Sequence, residues 1–169
     1  MGKLVQCSRV YYDSRARDGT WCCLKPSCPN FPQCPEARPD FKGLSERYDW
    51  YMVIEDFDIS AWESKQRLKH PDWTIRQLRN SRHWQKGLVK KLRESTRYWF
   101  NELDADVMLD IPEACGVNLV KTMSDMGMPL EWGQTARTIR KIMLIGKERP
   151  QALAGTETVT ENSGEGDDE

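Results

Sequence analysis

Cys22, Cys28 and Cys34 are separated by five residues each time, and Cys28 and Cys34 are each followed by proline. Three thiolates on one proline-stiffened loop can converge on a single ion, and a fourth ligand from elsewhere in the chain would close the site. Cys115, within Pro112-Glu113-Ala114-Cys115-Gly116-Val117, is the natural fourth. It is expected at a strand-to-helix junction, where a helix N-terminus lowers thiolate pKa and favours an anionic ligand set. Gly116 would let a bulky centre approach the backbone. Cys23 is the alternative to Cys22, because adjacent side chains in an extended segment point opposite ways; the even spacing favours Cys22. Cys7, in an expected strand, reads as core rather than ligand.

Zinc structural sites usually draw on tight Cys-x-x-Cys pairs, and the gaps here are looser. Iron–sulfur clusters take all-cysteine ligation and tolerate wide spacing, so a [4Fe–4S] cluster is favoured over zinc by a small margin. Either centre implies a structural or electron-transfer role. If Cys115 were a nucleophile and not a ligand, the same residues would describe an enzyme with an incompletely ligated centre.

Cys28-Pro29-Asn30-Phe31, then Cys34-Pro35, and downstream Pro112-Glu113-Ala114-Cys115-Gly116-Val117-Asn118 resemble the motifs of an uncharacterised family of small predicted metal-binding proteins of bacteria, archaea and phages. Members of that family tend to show a cysteine, a Cys-Pro-x-aromatic turn, a Cys-Pro step and a later Glu-Ala-Cys-Gly-like junction. The likeness spans roughly Trp21 to Trp132 and is confined to these motifs. It implies ligand roles for Cys22 or Cys23, Cys28, Cys34 and Cys115. Phe31 stands where the family more often has tyrosine followed by glycine, and Glu36 where it has a second proline.

The elements that must position these residues follow from pattern. Leu4 to Tyr12 leans to strand, and Arg15 to Thr20 carries turn chemistry. From Cys22 to Pro39 the prolines at 26, 29, 32, 35 and 39 exclude continuous helix or central strand, so a metal is the economical means of ordering the loop. Tyr48 to Ile59 reads as a well-buried strand. Ser60 with Glu63 predicts a capping box and a short helix through Lys69, ended by Pro71. Asp72 predicts the cap of the longest helix, running to about Leu103 with Leu88, Leu92, Trp99 and Leu103 at helical spacing. Ala105 to Ile111 predicts a strand, Glu113 to Met126 a helix ending at Gly127, and Thr138 to Ile145 a last strand. The expected fold is α/β or α+β, a small sheet covered by one long helix and shorter helices, with the Cys/Pro-rich metal-binding loop attached.

With 169 residues, the chain suits one domain, read as 1–149, followed by a disordered acidic tail at 150–169. No run of roughly 18 apolar residues could span a membrane, and a secretory leader is not expected, so the reading is a cytoplasmic protein of host or viral origin. In such a compartment six cysteines argue for metal ligation or catalysis over disulfides.

Charge is uneven along the chain. Between Ser60 and Phe100 eleven basic residues face three acidic ones, whereas the tail from Pro150 carries six acidic residues and no basic one. The basic helix therefore offers a second functional reading, a nucleic-acid-binding module on a metal-stabilised scaffold, with Arg79, Arg82, Lys86 and Lys90 as phosphate contacts and the nearby Trp73, Trp84, Tyr98 and Trp99 as stacking candidates. The tail could compete for the same patch. His70 and His83 read as surface or packing residues, with a ligand role the lesser alternative. Glu55, Asp56 and Asp58 read as capping and turn residues, with Glu55 or Asp56 as a base or supporting partner the lesser alternative. Phosphate loops, dinucleotide glycine fingerprints and serine-nucleophile elbows are missing, which argues against ATP- or NAD-dependent enzymes.

Overall fold

The computed structural model describes residues 1–17 and 38–150. The expected ligands Cys22, Cys23, Cys28 and Cys34, and the tail from residue 151, lie outside the described residues.

Four antiparallel strands form one sheet in the order β1-β2-β4-β3: β1 (Lys3–Gln6), β2 (Tyr48–Asp58), β3 (Val107–Leu109) and β4 (Thr138–Glu148). The fold is therefore α+β. The two eleven-residue strands lie at the centre, paired from Tyr48 opposite Glu148 to Asp58 opposite Thr138. The edges are the short β1 and β3, which limits the unpaired backbone offered to other chains.

The unbroken apolar run in β2 has a simple cause: both faces of the sheet are covered. Tyr48, Trp50, Met52 and Ile54 face one side, with Phe41, Leu109, Cys115, Val117, Leu119, Met123, Ile142 and Leu144 in the same cluster. Val53 faces the other side with Met143, Ile145, Leu92 and Ala105, and Tyr51 and Trp99 pack against them. Strand periodicity separates these sets residue by residue. On the first face Gly146 permits a close approach: a Cβ there would lie 2.8 Å from Val107 Cγ1 and 3.0 Å from Tyr48 Cβ.

The helices are α1 (Ser14–Arg17), α2 (Ile59–Lys69), α3 (Ile75–Leu78), α4 (Gln85–Glu102) and α5 (Leu119–Asp125). Several sequence expectations are corrected. Helix α2 is capped by Asp58, whose carboxylate accepts from the Ala61 amide, and not by Ser60. Glu63 is thereby released from a capping box and instead accepts from Arg79 at 2.8 Å. The single long helix expected from Asp72 to Leu103 is three pieces: α3, a 3-10 turn at Ser81–His83, and α4. Thr74, not Asp72, caps the first piece through a reciprocal box with Gln77. The Asn80 side chain accepts from the Arg82 amide and starts the next turn, offering the backbone a local alternative to continued helix.

The helix expected over Glu113–Met126 is likewise divided. Pro112–Cys115 form a 3-10 turn, Gly116 takes φ +93°, and α5 begins only at Leu119 with Asn118 as its cap. At its other end Gly127 does occupy the C′ position, at φ +70°, with Gly127 N–H donating to Ser124 O and Met128 N–H to Met123 O, the Schellman arrangement.

Arg79 ties this scaffold together, donating Nε to Glu63 at 2.8 Å and Nη1 to the Ala136 carbonyl at 3.1 Å. Replacing it with methionine should cost about 1.5–3 kcal/mol, the range for hydrogen bonds to charged groups. The Arg79 and Arg67 guanidiniums hold the Glu63 carboxyl below its usual range, the hydrogen bond from Arg79 being the largest cause. A depressed carboxyl stabilises the fold fully above its unfolded value, and that stability is lost as pH falls through the folded value. The difference between wild type and Arg79→Met in urea unfolding should therefore be full at pH 7 and shrink below about pH 4.

Candidate metal centre

Cys115 closes the 3-10 turn that follows β3. It is 1% exposed and belongs to the cluster on the Phe41 face of the sheet. Because α5 starts four residues later, Cys115 does not sit at an α-helix N-terminus, contrary to the sequence expectation. Its neighbourhood is a tight turn followed by a left-handed glycine.

Residues 11–13 are stitched to the strand of chain just beyond Cys115. Asp13 N–H donates to Gly116 O at 2.8 Å and Asn118 N–H to Tyr11 O at 2.8 Å, bracketing the Tyr12–Val117 bridge. Tyr11 N–H reaches Thr122 Oγ1 at 3.1 Å and its hydroxyl donates to Asp125. Helix α1 then lies against the 112–115 turn. On the far side of residues 18–37, the Arg38 guanidinium donates to the Asp110 carboxylate, two residues before that turn begins. Asp40 caps a 3-10 turn at Phe41–Gly43, and Phe41 is fully buried against Trp50, ring centroids 5.0 Å apart. The described chain on either side of the segment that carries Cys22, Cys28 and Cys34 is thus fastened beside Cys115. Neither fastening was legible beforehand: the first is a backbone pairing between residues about a hundred positions apart, and Arg38 and Asp110 look like ordinary surface charges.

Cys7 is half-buried against the same cluster, and burial pushes its thiol up to about 12. Burial thus disfavours its thiolate. Among the described residues no three His, Cys, Asp or Glu side chains converge as a ligand set. His70 and His83 both stack on Trp73, with centroids 3.9 and 5.4 Å away.

The three carboxylates at the end of β2 serve local structure: Asp58 caps α2, Asp56 pairs with Lys3 and Arg140, both at 3.1 Å, and Glu55 accepts from Ser95 Oγ at 2.6 Å. Glu55 also lines a cleft of about 370 Å³ with Met1, Lys91, Glu94, Ser95 and Tyr98, on the α4 side of the sheet. The rule that functional groups gather at strand ends holds for open α/β sheets and does not transfer to this antiparallel one.

Of the basic residues considered for nucleic acid, Arg79 is taken up by Glu63 and Ala136, while Arg82, Lys86 and Lys90 are exposed. The aromatic candidates are largely engaged: Trp73 stacks with both histidines, Trp84 stacks on Phe57 at 4.9 Å, and Trp99 donates to Gly2 O at 3.0 Å. Tyr98 remains 44% exposed.

No family model, curated protein or solved structure matches the chain. What the coordinates define is an α+β domain with a two-faced sheet, and among the described residues no helix is long and apolar enough to cross a membrane.

Proposed function

We propose that this protein holds one cysteine-ligated metal centre, with Cys28, Cys34, Cys115 and Cys22 (or Cys23 in its place) as ligands, a [4Fe–4S] cluster being favoured over zinc. The observation that supports the reading is that the described chain on either side of residues 18–37 is fastened next to the Cys115 turn, through Asp13–Gly116 before it and Arg38–Asp110 after it. Anchors at both ends shorten the loop that must close if its cysteines are to meet Cys115 on one metal, and so lower the entropy lost on binding. The apolar surroundings of Cys115 suit a soft thiolate centre sheltered from water. The centre would cross-link the loop to the sheet and, if iron–sulfur, carry one electron at a time.

Elemental analysis and a visible spectrum on protein purified without oxygen test this. About four irons per chain with a broad visible absorption is the expected result. One tightly held zinc and no colour would keep the ligand set and make the centre structural; the absence of both metals from freshly purified protein would overturn the proposal.

A further inference from the structure

Several arginines of this protein are tied to acidic partners. Arg38, Arg47, Arg67, Arg79, Arg140 and Arg149 all pair with carboxylates. On the outer side of α4, by contrast, Lys86, Arg93 and Arg97 pair with no carboxylate among the described residues, and Lys90 approaches only Glu94, at 3.9 Å. At 100° per residue, Lys86, Lys90, Arg93 and Arg97 fall within about 60° of arc, opposite the buried Leu88, Leu92 and Ser95, and extend roughly 16 Å along the axis.

This arrangement works against the helix itself. Lys86–Lys90, Lys90–Arg93 and Arg93–Arg97 are like-charge neighbours at helical contact spacing, each unfavourable. The first turn holds no acidic residue, no side chain caps it, and the last turn holds no basic residue. Lys86 lies in the first turn, where the macrodipole disfavours a cation. A row of mutually repelling cations, of which Lys86, Arg93 and Arg97 meet no carboxylate among the described residues, is complementary to an external polyanion.

We propose that this stripe docks duplex DNA through its phosphates. A duplex suits it better than a single strand, because the nearby tryptophans are engaged internally and the stripe carries no aromatic platform for unstacked bases. The outward face of α4 can approach a B-form major groove with its long Lys and Arg side chains reaching the phosphates along the rims, whereas the A-form groove is too narrow to admit a helix. The surface lies across the sheet from Cys115, so docking is independent of the metal centre and the two proposals fail separately.

The test is fluorescence anisotropy of a labelled 20-base-pair DNA with the full chain at several salt concentrations. Four phosphate contacts give a slope of log K against log salt near about −3.6, a loss of roughly 150-fold between 50 and 200 mM salt. Arg93→Gln with Arg97→Gln should halve the slope and weaken binding roughly 60-fold at 0.1 M salt, without lowering Tm, since it removes like-charge contacts. Lys65→Gln with Lys69→Gln removes the same net charge from the exposed side of α2 and should leave binding unchanged. Equal losses in the two variants would reduce the effect to net charge and overturn the assignment. So would absence of salt-dependent binding, tighter binding of the single strand or of duplex RNA, or equal binding to phosphatidylserine vesicles.

Discussion

On the proposed ligand set, Cys28→Ser should strip the metal while leaving the sheet folded. Serine matches the thiol in shape and offers no thiolate, so the proposed four ligands fall to three and bound metal should drop from about four irons, or one zinc, to a small fraction of that. Cys28 is the sharper position to change than Cys115, because Cys115 is 1% exposed within the core and its replacement would disturb packing whether or not it binds metal. Cys7→Ser is the internal comparison: burial disfavours its thiolate, and metal content should not change. The readouts are metal per chain and susceptibility to protease between residues 22 and 39, which the loss of metal should increase. Unchanged metal content in Cys28→Ser would remove Cys28 from the ligand set.

Phe41→Ala should cost about 3–5 kcal/mol, the range for truncating a fully buried aromatic residue. Phe41 is 0% exposed and its ring sits against Trp50 from the centre of the sheet. It follows Arg38 by three residues and Asp40 directly, so it also fixes where the chain leaves the cysteine-bearing segment. Urea unfolding should show a lower midpoint with little change in slope, accompanied by weaker metal retention at a given chelator concentration. Leu68→Ala, at 88% exposure, should stay within about 0.5 kcal/mol of wild type. A small effect at Phe41 would mean that the cluster closes over the vacancy.

Much of the fold was legible because its signals are local. The aromatic and β-branched run of β2, the β-rich Thr138–Ile145, the stop at Pro71 and the Gly127 terminator each act within a few residues, and each lies where the pattern placed it. The errors share a cause: competition among neighbouring caps. Asp58 pre-empted Ser60, Thr74 pre-empted Asp72, and Asn80 interrupted a run that contains no proline. All of these side chains can accept from a backbone amide two or three residues on, and which one does so depends on where the adjoining segment is packed. Gly116 is a similar case, since its left-handed conformation splits the segment and takes Cys115 away from the helix end.

Sequence by itself determined the element types, the apolar residues of the core and the concentration of basic residues before Phe100, because hydrophobic period, proline and composition act locally. Only the tertiary structure decided that both faces of the sheet are covered, that Cys115 and the α4 stripe lie on opposite faces, and that Arg79 is an internal tie while Lys86, Arg93 and Arg97 point outward with no carboxylate partner among the described residues. Those distinctions rest on contacts between residues far apart in the chain, such as Asp13 with Gly116 and Arg38 with Asp110. A charge carries no local mark of its partner, and only the assembled fold sets which partner it meets.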